Sequence, residues 1–332
     1  MNYRIFDIHE EDFEKLMNLR SKVYHKEIID REFWEWKYFK CPLAKNIKVF
    51  VAEHDNEIIG STSRYPIDLC VENEIHRVYF NVDSMVHPQY RGKGIISELY
   101  VLSSKILPLM ISKGTTLKMY SVLMKMGFTA ITPNTYLTKY LSYPKILINK
   151  TGVIKLKGKP PDTIIHPAFQ KADRFDAKFD NLVGRTTKHF DIISVKTAKY
   201  MNWRYINHPR IRYHVFCRKI DGKLITYFVI RFLKNQTAYI VDLLWDPEHP
   251  DEPVGSLNLL LKTLKKSGYS VVKCWLTNRY LREILAGIGF VDKGETPHLS
   301  ALGPADIMDL FLKSKSVHLV DGDSDYDAAF VE

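Results

Sequence analysis

Apolar residues recur at helical spacing in two stretches of the first third of the chain. Phe13, Leu16, Met17, Val23 and Tyr24 form one stripe, shared by Arg20, and Ile95, Leu99, Leu102, Ile106 and Leu109 form the other. Ahead of the first, Asp7-x-x-Glu10 reads as a capping box. Between the stripes the pattern shortens to strand length. Lys48 to Glu53 and Ile58 to Ser63 flank an Asp55-Asn56 turn as a hairpin, and further strands follow at Asp68 to Val71 and Val78 to Val86. Met119 to Met126 then runs into Gly127-Phe128. Strands mixed with helices in this order predict an α/β fold, an α+β arrangement on a mixed sheet.

The same plan recurs in the second half. Trp36, Lys37, Tyr38 and Pro42 return 167 positions later as Trp203, Arg204, Tyr205 and Pro209. Val49-Phe50 returns as Val215-Phe216, Val82-Asp83 through Pro88 as Val241-Asp242 through Pro247, and Gly127-Phe128 as Gly289-Phe290. The offset drifts as it would if only loops changed length, which predicts a tandem duplication. The expected division is a first domain over 1–146, a linker over 147–170, a second domain over 171–316 and an acidic tail over 317–332. The linker contains the Lys-, Gly- and Pro-rich run Lys150 to Pro161, a solvated connector or a clamp on an anion. The tail is either a frayed terminus or a set of carboxylates able to cover a site and hold an amine.

Composition narrows the class. The chain of 332 residues is 45% hydrophobic and 12% aromatic, enough for packed cores. The N-terminus lacks a signal pattern and no apolar run is long enough to span a bilayer, so no membrane span and a cytoplasmic location are expected. Cys41, Cys70, Cys217 and Cys274 lie far apart without a CxxC pair and are expected as buried free thiols, with no metal. The net charge of +10 suits a phosphate-rich small substrate. Nucleic acid is not expected as a partner, because no basic block or RNA-binding signature is present.

The chemistry concentrates in Asn81 to Ser97, NVDSMVHPQYRGKGIIS. A strand, a Gly-rich turn and a helix in succession make an anion site: free N–H groups at the helix start point outward and the helix dipole favours negative charge. Gly92 and Gly94 let backbone approach phosphate, and Arg91 and Lys93 add charge. The run lacks the GxxxxGK[ST] spacing of a Walker loop and the third Gly of a dinucleotide fingerprint. Gln89, Tyr90, Arg91, Gly92, Lys93 and Gly94, after Val86-His87-Pro88, resemble the Gln/Arg-x-x-Gly-x-Gly/Ala pyrophosphate loop of the GNAT superfamily of N-acetyltransferases. Where the first copy carries this loop, the second has Glu248-His249-Pro250-Asp251-Glu252-Pro253-Val254-Gly255. Carboxylates replace the phosphate site and prolines remove donors, so the second GNAT-like domain is expected to be degenerate.

The resemblance implies transfer of an acetyl or other short acyl group from CoA to an amine, by direct attack through a tetrahedral intermediate. It implies that Ser84, Met85, Val86 and His87 border the pantetheine and that Gln89, Arg91, Gly92, Lys93, Gly94 and Ile95 hold the pyrophosphate. The oxyanion donor is expected on backbone N–H near Met85. Asp83, a carboxylate among apolar neighbours, is the first choice for the base, with a satisfied structural Asp as the other reading. His87 is a titratable turn residue or a solvated one, and His76 is a weaker candidate. The Tyr that serves as acid in many members falls on Leu123, and the usual Asn on Thr116, which departs from the pattern. Tyr120, one helical turn earlier, can take that role, as can Ser121 or solvent. The Trp-Lys-Tyr and Trp-Arg-Tyr boxes either stack a base or sugar or serve the fold. The two-copy layout resembles acyltransferases of bacterial surface-polysaccharide synthesis, which implies the amino group of a dTDP- or UDP-linked amino sugar as acceptor. Another small amine, or acyl-CoA sensing without catalysis, is the alternative.

Overall fold

The computed structural model describes residues 1–6, 10–24, 31–142, 164 and 166–325. Asp7 of the expected capping box, the run Lys150 to Pro161 and the tail beyond Asp325 lie outside the described residues. The chain forms two compact units, neither of which is one continuous stretch. The first comprises Met1–Leu69, His76–Ile131 and Pro297–Leu312. The second takes the described residues of Cys70–Ile75, Thr132–Thr296 and the segment from Lys313 on.

In chain order the first half gives β1 (Asn2–Phe6), α1 (Glu10–Val23) and α2 (Arg31–Trp34), which runs into a π-helical turn at Glu35–Phe39. There follow β2 (Lys48–His54), β3 (Glu57–Val71), β4 (Glu74–Val86), α3 (Ile95–Ser104), β5 (Met110–Ser112), α4 (Leu117–Lys125), β6 (Thr129–Ala130) and β7 (Tyr136–Tyr140). The second half gives β8 (Gln170–Ala172), α5 (Ala177–Thr186), β9 (Ile192–Ser194) and α6 (Ala198–Met201), again running into a π-helical turn, Asn202–Ile206. Then come β10 (Tyr213–Ile220), β11 (Lys223–Phe232), β12 (Thr237–Trp245), α7 (Glu252–Lys266), β13 (Val271–Trp275), α8 (Arg279–Gly287) and β14 (Val291–Asp292). The chain ends with β15 (Ser300–Leu302), α9 (Ala305–Lys313) and β16 (Val317–His318). Both short helices and both π-helical turns stand 167 residues apart, the offset of the sequence repeat.

The sheet of the first unit runs β1-β2-β3-β4-β5-β15-β6, and that of the second β14-β7-β13-β12-β11-β10-β8. Each copy therefore places one strand in the other's sheet. β7 of the first half pairs with β13 and β14, and β15 of the second half pairs with β5 and β6. A division at residue 146 could not show this, because an exchange preserves the order of landmarks along the chain. Two elements also differ from the pattern. The strands expected at 58–63 and 68–71 are one long strand, β3, carried through Pro66. Helix α3 stops at Ser104, where periodicity continued it to Leu109, because Pro108 cannot extend a helix. Leu107 and Leu109 are buried all the same, as the entry to β5.

The core of the first unit joins Phe50, Ala52, Ile59, Ile95, Leu99, Tyr100, Leu123 and Phe128. Helix α3 lies close on the sheet because Gly60 lacks a side chain: a Cβ there would stand 2.5 Å from Ile95 Cγ2. Ile95 is the first residue of α3, so this contact fixes where the helix starts. Replacing Gly60 by Val is expected to destabilise the protein by about 1–3 kcal/mol through overpacking. Urea unfolding checks this, and an unchanged midpoint would show that α3 is not held by this approach.

Candidate active site

The turn between β4 and α3 is built by backbone conformation. His87 Nδ1 accepts from the Gln89 N–H at 3.3 Å and caps a 3₁₀ turn over Pro88–Tyr90. Gly92 (φ 79°) and Gly94 (φ 76°) then take the left-handed conformation, and Gly94 caps α3. A Cβ at either glycine would meet nothing within 4 Å, so the space above the loop is open. Tyr90 is flanked by the rings of His54 and His87, with Lys93 Nζ 4.8 Å from its centroid. Arg91 and Lys93 are exposed. Exposed cations over left-handed glycines at a helix start fit an anion such as a pyrophosphate.

Strand β4 approaches this turn with a change of parity. The Tyr79 N–H donates to Leu109 O, at the entry to β5, at 3.0 Å, whereas the His87 N–H donates to Ile59 O on β3 at 2.8 Å. Residues of equal parity should face the same neighbour, so one residue between them is out of step. That residue is Asp83, with φ 49° inside the strand. Alternation back from His87 turns the Met85 amide to β3, in keeping with Met85 O lying 3.6 Å from a Cβ built at Gly60. Ser84 and Val86 then present their N–H groups to the β5 side. There the register of β5 stops at Tyr79 and Phe80 while β4 runs on to Val86. The oxyanion donor expected near Met85 thus has the Ser84 and Val86 amides as its candidates on that side. The Ser84 side chain is turned into the unit, 2.8 Å from Thr62 Oγ1 and 3.4 Å from Tyr100 Oη.

The Asp83 carboxylate is committed. Its Oδ2 accepts from Lys37 Nζ at 2.7 Å and Tyr38 Oη at 2.6 Å, and its Oδ1 lies 3.8 Å from Arg20 Nη1. Burial alone would raise its pKa, but the Lys37 and Arg20 charges outweigh that and hold it below the usual carboxylate value. A carboxylate so held is a weaker proton acceptor, which favours the structural reading of Asp83 over that of a base. The Trp-Lys-Tyr box likewise serves the fold, since the π-helical turn delivers Lys37 and Tyr38 to the bulge. Arg20 was visible in the sequence only as a polar member of an apolar stripe. It stacks on Tyr24 (4.9 Å) and Trp34 (5.6 Å) and reaches Met85 Sδ at 3.9 Å.

The remaining candidates separate. Leu123 is fully buried and Thr116 caps α4 by accepting from the Met119 N–H. Ser121 donates to Leu117 O within the helix. Tyr120 is half-buried, its ring 4.8 Å from that of His298, which β15 brings from the second half. His76 lies towards the other end of β4 from the loop. Sequence reasoning also missed Arg64, buried without a carboxylate partner among the described residues. It donates to Thr62 and Ser103 and stacks on Tyr100 at 4.2 Å, and burial lowers its pKa to about 10.

The second unit repeats the clamp but closes the cleft with its own chain. Tyr205 Oη donates to Asp242 at 2.6 Å, as Tyr38 does to Asp83, and Lys196 lies 2.8 Å from both Asp242 and Asp323. Asp323 belongs to the acidic tail, whose described part is packed inside. Leu319 O accepts from the Thr277 N–H, Val320 bridges Leu276 beyond β13, and His318 Nε2 bonds Leu243 O on β12. The segment thus lies between β12 and the exit of β13. Where the first unit has its Gly-rich turn, Glu252 opens α7 buried against Arg218, and Asp246 is bound by Arg185 and Lys223. The chain itself supplies anions here.

A family model described as an acetyltransferase (GNAT) domain matches residues 4–110. No curated protein matches the sequence. Among solved structures, the chain is similar to a probable N-acyltransferase from Enterococcus faecalis V583, with 11% identity over 91% of this chain and 72% of that one and a TM-score of 0.63. It is similar to a GCN5-related N-acetyltransferase from Anabaena variabilis ATCC 29413, with 11% identity over 90% and 72% and a TM-score of 0.63. It is also similar to N-myristoyltransferase from Saccharomyces cerevisiae with bound myristoyl-CoA, with 15% identity over 91% and 79% and a TM-score of 0.57. At these identities the likeness is one of fold. Among the described residues no helix is long and apolar enough to cross a membrane, and no cluster of His, Cys, Asp and Glu is arranged to hold a metal ion.

Removing the Asp83 charge leaves Lys37 buried beside a neutral amide, so Asp83→Asn is expected to cost about 3 kcal/mol, the lower end for breaking a buried ion pair. The folded pKa lies below the unfolded one, so the pair's contribution is present above the unfolded value of about 4 and fades as pH falls below it. Urea midpoints of both proteins between pH 7 and pH 3 should converge at the acid end. A constant gap would show that the carboxylate's charge is not what holds the bulge.

Proposed function

We propose that the first unit transfers an acyl group from CoA to a primary amine. The observation that carries this reading is the turn of left-handed glycines at the start of α3, set beside a strand that outruns its neighbour. The match of residues 4–110 to an acetyltransferase domain supports it. In this reading the main-chain N–H groups from Gly92 to Ile95, with the side chains of Gln89, Arg91 and Lys93, hold the pyrophosphate of CoA. CoA supplies the activated acyl thioester, and Ser84 and Val86 offer main-chain hydrogen bonds along it. Asp83 positions the bulge that aims those groups and takes no proton. Tyr120 Oη holds the proton for the departing thiol, and the amine loses its own to solvent. The acceptor suggested by the two-copy resemblance is the amino group of a dTDP- or UDP-linked amino sugar. A sensing role without turnover is the second reading, favoured by the buried Leu123 where a tyrosine hydroxyl would be expected.

Thiol release from acetyl-CoA and longer acyl-CoAs tests this against aminoglycosides, polyamines, amino acids and dTDP- and UDP-amino sugars. Fast release with one amine class is the expected outcome. CoA binding by calorimetry without release from any amine would favour sensing. Gly94→Asp is expected to abolish CoA binding, because it strains a left-handed position and sets a carboxylate in the anion space. Wild-type affinity in that variant would remove the loop from the site.

A further inference from the structure

The clamps of the two units differ in charge. In the second, one cation meets two acids: Lys196 bridges Asp242 and Asp323, while Arg204 donates to the Ser324 carbonyl 2.9 Å away. In the first, Lys37 and Arg20 share the single carboxylate of Asp83, and Lys37 takes the short contact. Among the described residues Arg20 is left with a 3.8 Å approach to Asp83 and one hydrogen bond, to a thioether sulfur. A guanidinium carries five N–H donors in a rigid fork suited to carboxylate and phosphate oxygens. This one is mostly covered, its side chain 15% exposed, and oriented by the rings of Tyr24 and Trp34. It is therefore a preorganised cation with donors to spare, touching Met85 next to the two amides that face the β5 side.

A second observation says what belongs there. In the degenerate unit the equivalent Tyr–Asp pair lies under a chain segment whose Asp323 supplies a carboxylate to the cluster's cation. The duplicate completes its own charge, and the first unit leaves that anion to be brought in. Exposed Arg91 adds to the same field, since its charge, with those of Arg20 and Lys37, bears on Tyr24.

We propose that Arg20 recognises an anionic group, a carboxylate or a phosphate, on the amine acceptor, and so selects anionic primary amines. This rests on the acyltransferase reading of the same site and names its substrate class. Arg20 makes no bond to reacting atoms. It fixes the acceptor by its anion, so its removal should raise KM for charged amines more than for neutral ones.

The test compares matched amines with acetyl-CoA: 4-aminobutyrate against its amide, and phosphoethanolamine against ethanolamine. Wild-type protein is expected to favour the charged member of at least one pair by tenfold or more in kcat/KM, and the pair that shows it distinguishes carboxylate from phosphate. Arg20→Gln should erase the preference through KM, and Arg20→Lys should restore part of it. Thermal melts and CoA calorimetry of both variants show that fold and loop are intact. Binding is read independently of turnover by titrating acetate and inorganic phosphate against tryptophan fluorescence, where Arg20→Gln should lose a saturable wild-type response. No charge preference and no saturable response in wild-type protein would overturn the proposal, as would a preference that survives in Arg20→Gln. Failure of wild-type protein to bind CoA would instead overturn the acyltransferase reading.

Discussion

The cleft of the first unit depends on one residue out of step. Strand β4 must bond β5 at Tyr79 and β3 at His87, which an even run of extended residues cannot do. Asp83 absorbs the difference by adopting a left-handed conformation, which Asp tolerates better than a branched residue would. Such a residue persists only where its surroundings over-determine it. Here Lys37, Tyr38 and Arg20 do so, three side chains from α1 and the π-helical turn. The turn is itself an irregularity, and it puts the amine and the phenol on one carboxylate oxygen. Bulge and π-turn are parts of one device, which turns the Ser84 and Val86 amides to the β5 side.

The second unit shows the same device with its anion places filled from within. The same spacing returns a π-helical turn, a Tyr–Asp bond and a register shift in β11–β12 beside Asp242. Every place that receives an anion in the first reading is met in the second unit by the chain's own carboxylates: Glu252 at the helix start, Asp246 before it, Asp323 at the clamp. Each of these finds a cation, so none is left costly and bare. The described part of the tail sets Asp323 on an amine of the chain itself, Lys196. By contrast, Arg20 of the first unit meets no second carboxylate among the described residues.

Much of this was legible because it is local. A Gly-x-Gly turn before an apolar stripe states its backbone conformation, and a repeat of Trp, Tyr and Pro at fixed offset states a duplication. What was hidden is non-local. Asp83 among apolar residues invites a chemical role until Lys37, 46 residues earlier, is seen on its carboxylate. The direction of the Met85 amide was hidden because a bulge shifts parity without changing composition. Arg20 looked like a defect in an amphipathic stripe, and only the rings stacked on it show why a guanidinium is there. His298 reaches Tyr120 from the other half of the chain, beyond any window of spacing.

The strand exchange has the deepest consequence for how the two copies must be understood. In the first sheet β15 lies between β5 and β6, an inner position whose N–H and C=O groups are used on both edges. In the second, β7 is likewise inner, between β13 and β14. A chain cut at residue 146 would strand β5 and β6 without the partner that joins them and expose unpaired edges. Neither half therefore encodes a complete sheet, although each encodes a complete set of landmarks. That dependence explains why a copy with its anion sites filled from within is still retained. It supplies the strand that joins β5 to β6 in the first sheet, and with it His298, the residue stacked on the proposed proton donor.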